Sequence, residues 1–255
     1  MPDDPRPALI ELSHSLGRPE RRCAILGEGN TSAGAGDATF WVKASGSRLA
    51  DLAADDLLEV DRAACRAMLD GPDLDDQQIV EVLAGACVDP EATKRPSVET
   101  AMHAALLDLS GVECVGHTHP VVINGIACSE HFELLTNRLF PDQIVVCGVS
   151  AVLIPYVDPG LPLARAVRDG AADYLERYGQ PPKTVFLQNH GFIAVGQSAA
   201  EVDRITAMAV KSAEILAGAL AVGRPTWMTD EQVARIAGRD DEAYRQRVLA
   251  GLGIG

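Results

Sequence analysis

The stretch that decides the fold is Gly27 to Gly46, GEGNTSAGAGDATFWVKASG, with five glycines in twenty residues. It opens with a G-x-G, the start of a dinucleotide-binding fingerprint. That fingerprint needs a strand before it, a third glycine, and a helix after it. Here Ser32 stands where the third glycine belongs, and PERRCAIL (Pro19 to Leu26) makes a poor strand. The segment then runs into TFWVKAS, whose β-branched and aromatic residues form a strand that Gly46 stops. The Rossmann context fails. What remains is a hairpin whose ends, Gly29-Asn30 and Ser45-Gly46, meet across the two strands to cradle an anion, with SAGAGDA as its turn.

Working outward, the 255 residues are 47% hydrophobic with a mean hydropathy close to zero, enough to bury a substantial core. No repeat and no Pro/Ser-rich linker divides them. One domain is expected over residues 1–255, with a core of about 9–222 and a C-terminal helical segment at 229–250. The net charge of −14 excludes nucleic acid and anionic membrane surfaces as partners, because both reward a basic face. An anionic substrate would therefore be held by local devices, such as backbone N–H groups or a metal. The six cysteines show no C-x-x-C, several lie in apolar runs (NGIACS, IVVCG), and the N-terminus lacks the pattern of a signal peptide. Reduced thiols in a cytoplasm fit this usage.

A helix is expected over about Ala8 to Leu16. RPSVETAMHAALLDLSG (Arg95 to Gly111) reads as a helix begun by Pro96 and Ser97 and stopped by Gly111. VECVGHTHP follows as a strand ending at Pro120, then QIVVCG and AVLIPYV as two more strands. KTVFLQNHGFIAVG gives two strands joined at Asn-His-Gly, a turn-forming sequence. Ser198 and Glu201 form a capping box for a long helix with a stripe at Val202, Ile205, Ala209, Ser212, Leu216 and Leu220, and Thr229 with Gln232 repeats the signature. The stretch from Leu49 to Leu74, rich in Asp and Ala, lacks the spacing of a calcium loop, and its acidic residues read as a solvated face. Strands outside a β-α-β rhythm, with helices before and after, predict a mixed or antiparallel sheet covered on both sides.

Chemistry concentrates in the histidines. His117 and His119 stand two apart on a strand and leave the same face, about 7 Å apart at Cβ, so both can turn to one ion. Zinc takes three or four N, O or S ligands, with nitrogen at about 2.0–2.1 Å, so a third ligand is required. His190, at a turn between two strands, is the best placed. His14 reads as a surface or capping residue and His131 as a polar helix-start residue. His103 shares a helix face with Glu99, four residues earlier, and reads as a hydrogen-bonding partner ahead of a ligand. Glu99 is either a helix-start acid, stabilised there by some ~0.3–1 kcal/mol, or a general base beside a metal.

In order along the chain, GEGNTS, VKASG, RPSVE, GHTHP and QNHG resemble the class II aldolase/adducin family, the zinc-dependent aldolases of fuculose and rhamnulose phosphates among them. The resemblance runs from about Leu9 to Leu220. It implies a three-layer α/β/α fold with a central, mostly antiparallel mixed sheet, and a homotetramer with sites at subunit interfaces. It implies that His117, His119 and His190 bind one zinc per chain, with Mn²⁺ or Co²⁺ as alternatives, that Glu99 is the catalytic acid/base and touches the metal before substrate arrives, and that Gly29, Asn30, Ser45, Gly46 and Ser97 bind phosphate. One departure concerns that pocket: family aldolases often have two serines before the glutamate, and the second is Val98 here. Lys43, on the same strand face as Ser45, either compensates for the lost donor or faces solvent. Family members also protonate the aldehyde oxygen with a tyrosine, often from a neighbouring subunit. None of the four tyrosines, Tyr156, Tyr174, Tyr178 and Tyr244, aligns with that residue; Tyr174 and Tyr178 look like packing, and Tyr244 is a candidate because the resemblance places it in a C-terminal segment that can close over the site in relatives.

The expected activity is reversible cleavage of a ketose 1-phosphate to dihydroxyacetone phosphate and an aldehyde through a zinc-stabilised enediolate. The first alternative is another metal-dependent reaction of a sugar or sugar-acid phosphate on the same scaffold: epimerisation, decarboxylation or dehydration. The second is a non-catalytic adducin-like interaction domain. The presence of all three histidines and Glu99 argues against it.

Overall fold

The computed structural model describes residues 4–239. Among them, seven strands form one sheet in the order β3-β2-β1-β4-β7-β6-β5. They are β1 (Asn30–Gly34), β2 (Thr39–Lys43), β3 (Leu57–Asp61), β4 (Cys114–Thr118), β5 (Val152–Ile154), β6 (Thr184–Leu187) and β7 (Gly191–Gly196). β5 pairs parallel with β6, and the other neighbours described are antiparallel, so the sheet is mixed and mostly antiparallel as expected.

Alternation along each strand divides the core between two faces. On one face Phe40, Val42, Val60, Val115, Val185 and Ile193 meet α2 (Arg62–Asp70), α3 (Asp76–Gly85), α4 (Thr100–Leu107) and α7 (Leu161–Tyr178). On the other, Ala33, Phe186, Phe192 and Ala194 meet α1 (Arg6–Leu16), α5 (Val121–Ala127), α6 (Pro141–Cys147) and α8 (Ala199–Val222). These are the three layers. α8 is long and apolar enough by composition to cross a membrane, yet its Val202, Ile205, Ala209, Ala213 and Leu216 are buried in this core. Each large aliphatic side chain so buried contributes roughly 1.5–3 kcal/mol. α9 (Asp230–Ala237) follows, opened by the Thr229/Gln232 capping box, and the rest of the expected helical segment lies outside the described residues.

Several expectations need correction. QIVVCG is not a strand but most of α6. Pro141 takes the first helical position and Gly148, at φ +82, ends the element, so start and stop signals override a β-branched run. AVLIPYV contributes only the three residues of β5. The acidic residues between Leu49 and Leu74 are exposed or half-buried, as expected, on a stretch that also holds β3 and all of α2. Residues 32–34 of the supposed hairpin turn belong to β1, and the turn is confined to 35–38. α4 begins at Thr100, with Glu99 as its N-cap, because Pro96 to Val98 form a bridge and turn against Ala44. At α8 the Ser198 side chain accepts from Glu201 N–H as expected, but the Glu201 carboxylate accepts from Gln197 N–H instead of closing the box.

The register places the site. Asn30 lies opposite His117 across β1 and β4, and Thr118 lies opposite Phe192 across β4 and β7. The start of β1, the end of β4 and the start of β7 therefore share one end of the sheet, and the N-terminus of α4 points at it.

Candidate active site and metal centre

His117, His119 and His190 each offer a ring nitrogen, and these lie within 4.8 Å of one another. His117 is the last-but-one residue of β4, His119 sits just past its end, and His190 closes the β6–β7 turn, where Asn189 takes a left-handed φ of +53. The three rings meet edge to face, with centroids 4.9 to 5.2 Å apart. His117 Nδ1 lies 3.1 Å from the Phe192 carbonyl, which can only accept. Its proton is therefore on Nδ1, and the Nε2 lone pair points inward, 3.1 Å from His119 Nε2.

Burial holds His117 and His119 down at about 4, so both are neutral, the form that ligates. Converging imidazole lone pairs around a common centre fit a borderline-soft divalent cation.

Glu99 closes the cluster. Its Oε1 is 3.2 Å from His190 Nε2 and 3.5 Å from His117 Nε2, and its Oε2 accepts from Asn30 Nδ2 at 2.7 Å. Burial alone would raise its pKa, but His117, His190 and the Asn30 amide outweigh it and hold the carboxyl below the ordinary range. Glu99 is thus a carboxylate facing three histidines. His103 is wholly buried, is pushed down to about 4 by desolvation, and bonds Asn30 Oδ1 and Ser32 Oγ.

Among the residues expected to bind phosphate, the structure places Gly29 (φ +69) with its α-carbon against the His117 carbonyl, where a β-carbon would come within 2.6 Å. The Asn30 side chain is turned inward to Glu99 and His103. Ser45 and Gly46 form an exposed turn fastened to the next loop by Ser45 N–H to Arg95 O at 2.8 Å. Gly27 runs beside Gly46, and a β-carbon added at Gly46 (φ +80) would meet nothing within 4 Å. Ser97 accepts from Glu99 N–H at 3.3 Å. The glycine loop, the Ser45-Gly46 turn and the Ser97 turn thus come together beside the histidines.

Val98 is half-buried against the hydrophobic core near Gly160. Lys43 does not face solvent: it is 2% exposed, and its Nζ donates to the carbonyls of Ser47 at 2.6 Å and Ala44 at 3.2 Å. Burial lowers its pKa, against the opposing pull of Glu99 and Asp56.

The remaining candidates lie elsewhere. His14 bonds the Leu52 carbonyl, and His131 is exposed next to Glu130. Tyr174 and Tyr178 stack on each other, Tyr156 bonds Asp158, and Tyr244 lies outside the described residues. Three contributors escaped sequence reasoning. Glu28 sits 3.9 Å from His119 Nδ1, Ser32 reaches His103, and Gly191 lies against both His117 and His119. Their signals were adjacency to named residues: Gly191 follows His190, and Ser32 shares a strand face with Asn30.

The profile of the Class II Aldolase and Adducin N-terminal domain matches residues 8–217. The uncharacterized oxidoreductase YuxG of Bacillus subtilis (strain 168) is 27% identical over 214 residues, which are 81% of this chain and 28% of that protein's length. The chain thus spans little more than a quarter of that relative. The N-terminal class II aldolase domain of a Thermoplasma acidophilum protein superposes with TM-score 0.67 at 25% identity, over 84% of this chain and 94% of that one. YgbL of Klebsiella pneumoniae, a candidate aldolase/epimerase/decarboxylase, gives TM-score 0.68 at 20% identity, over 91% and 97%. The L-fuculose-1-phosphate aldolase of Thermus thermophilus gives 0.60 at 21%, over 86% and 97%. The last two likenesses concern the fold.

Proposed function

The chain belongs to the class II aldolase and adducin family, and from that premise we propose that it is a metal-dependent aldolase that reversibly cleaves a ketose 1-phosphate to dihydroxyacetone phosphate and an aldehyde. The observation that carries this reading is the approach of Glu99 Oε1 to His190 at 3.2 Å and to His117 at 3.5 Å: an ionised carboxylate at the mouth of a three-histidine cluster. His117, His119 and His190 would hold a divalent ion, Zn²⁺ first among the candidates. When bound, such an ion supplies Lewis-acid stabilisation of the negative charge that develops on the substrate's carbonyl oxygen.

The protein's own groups do the rest. In cleavage the C3–C4 bond breaks, its electron pair passes to the carbonyl as an enediolate, and the C4 hydroxyl loses its proton as the aldehyde forms. Glu99 then returns a proton to C3, and in the synthetic direction it removes it. The phosphate would lie against the Gly29, Ser45-Gly46 and Ser97 turns, with the Lys43 ammonium behind them compensating for the donor lost at Val98. Tyr244 would serve the aldehyde oxygen. We place the enzyme as a homotetramer in a reducing, cytoplasmic setting, to which six unpaired cysteines are suited.

A second reading rests on Val98. Because this side chain packs on the core, the phosphate pocket differs from the family pattern, and the same base could serve an epimerase, decarboxylase or dehydratase acting on a sugar acid phosphate. The discriminating experiment incubates Zn²⁺-loaded protein with dihydroxyacetone phosphate and a panel of aldehydes, and with ketose 1-phosphates in the reverse direction. Metal-dependent condensation and cleavage are expected. Absence of both, alongside epimer or carbon dioxide formation from sugar acid phosphates, would replace the aldolase reading by the second.

A further inference from the structure

β1 alternates between two environments: Thr31 faces α1, where it bonds Ser13, while Asn30 and Ser32 face α4. His103 of α4 lies across those two side chains. Its Nε2 meets Asn30 Oδ1, and its Nδ1 lies 2.7 Å from Ser32 Oγ. All three side chains are buried, with His103 and Ser32 wholly excluded from solvent.

The protons in this row are determined by chemistry alone. Glu99 Oε2 is a carboxylate oxygen, so the Asn30 atom 2.7 Å from it is the amide nitrogen, which donates. Asn30 Oδ1 therefore faces His103 Nε2 and can only accept, which puts the imidazole proton on Nε2. His103, with no acidic side chain bonded to its ring, is a neutral imidazole, so Nδ1 carries the lone pair and Ser32 O–H donates to it. Every bond points the same way, from Ser32 through His103 and Asn30 to Glu99, the arrangement in which successive hydrogen bonds reinforce one another.

The far end of the row selects an oxygen. With Oε2 held by Asn30, it is Oε1 that faces His190 and His117. Reversing the Asn30 amide would set two acceptors against each other at Oε2 and release the carboxylate. Nothing in Asn30 itself prevents that reversal; the donor on His103 does.

We propose that His103 is a positioning residue which, fixed by Ser32, orients the Asn30 amide so that Glu99 presents Oε1 to the reacting carbon. This rests on the reading of Glu99 as the proton-transfer group. His103 touches neither the substrate space nor the histidine cluster and acts through Asn30.

The substitutions follow from ring geometry. In His103→Gln the amide nitrogen falls near the Nε2 position and still donates to Asn30. In His103→Phe the volume stays and the donor goes. The measurements on Zn²⁺-loaded protein are metal content, kcat and KM for exchange of the C3 protons of dihydroxyacetone phosphate with D₂O, and ¹⁵N spectra of the imidazole and of the Asn30 side-chain amide.

The expected result for His103→Phe is a kcat lower by about 10- to 100-fold, the scale of a slightly misplaced catalytic group. KM should change by less than about threefold, and metal content should match the wild type. His103→Gln should recover most of the kcat. The wild-type ¹⁵N spectrum should show His103 neutral with its proton on Nε2, and the Asn30 amide resonance should move in His103→Phe but not in His103→Gln. Equal loss in both variants, loss of metal in place of kcat, or a proton on Nδ1 would overturn the proposal. If the wild type exchanges no protons at all, the aldolase reading fails by itself. The tautomer and the Asn30 resonance, which need no turnover, still decide the positioning row.

Discussion

Gly191 is pressed against His119: a β-carbon built on it would sit 2.6 Å from His119 Cδ2, and 3.1 Å from Cε1 of His117. The glycine after His190 is therefore a matter of space, because the clustered imidazole rings and the Thr118 carbonyl, 2.8 Å from that β-carbon, occupy the volume a side chain would take. Gly191→Ala should push His119 off its position and weaken divalent-ion affinity by about 10- to 100-fold, the range seen when groups supporting a ligand are altered. Titration calorimetry with Zn²⁺ checks this, and unchanged affinity would show that the rings shift without cost.

Glu99→Gln keeps the shape and the contact with Asn30 while removing the base. We expect metal content to stay at the wild-type level and kcat to fall by roughly 10²–10⁴-fold. His190→Ala should behave in the opposite order, losing the ion first and activity with it. Atomic absorption on the two purified variants, set beside their rates, separates the roles of two residues whose side chains are 3.2 Å apart.

Lys43→Met leaves a similar apolar stem and removes the ammonium that binds the Ala44 and Ser47 carbonyls behind the Ser45-Gly46 turn. A hydrogen bond to a charged group is worth about 1.5–3 kcal/mol, so KM for a phosphorylated substrate should rise by about 10- to 100-fold. Metal content should not change. A KM that stays constant would remove Lys43 and its turn from the phosphate pocket.

Acid should destabilise the metal-free protein well above the pH at which carboxylates protonate. His103 titrates at about 4 when folded and near 6.5 when unfolded, because burial disfavours the cation. Between those values the unfolded chain binds more protons than the native one, so stability rises with pH across the interval and is lost as pH falls through it. The effect is on the order of 3 kcal/mol for this histidine. His117 and His119 act in the same direction. Thermal melts of chelator-treated protein from pH 7 to 4.5 should show a falling Tm, and His103→Phe should flatten part of the slope.

Much of the arrangement is legible in the chain because its signals are local. His117 and His119 two apart, His190 in a turn-forming triplet and Glu99 at the head of an apolar helix all follow from spacing and turn chemistry, and all four meet in space. Failures came where a residue's meaning depends on what packs against it. QIVVCG has the composition of a strand, and only Pro141 and Gly148 at its ends make it a helix. Lys43 reads either way from the chain alone, because only the packing around the end of β2 places it inside the protein. Asn30 and Ser32 belong to a motif associated with phosphate, yet their side chains turn inward, because strand alternation and the α4 histidine decide their direction.

The pairing of Asn30 with His117 across β1 and β4 also bears on how the protein can fail. A strand that slipped by one residue would turn its whole row of side chains to the other face. Slippage here would carry the holder of the Glu99 carboxylate and a member of the three-histidine cluster apart in a single event, so a mispaired molecule would lose both arrangements together. Fold and activity then share one checkpoint, and a population of this protein should divide into competent and inert molecules with no misdirected enzyme between them.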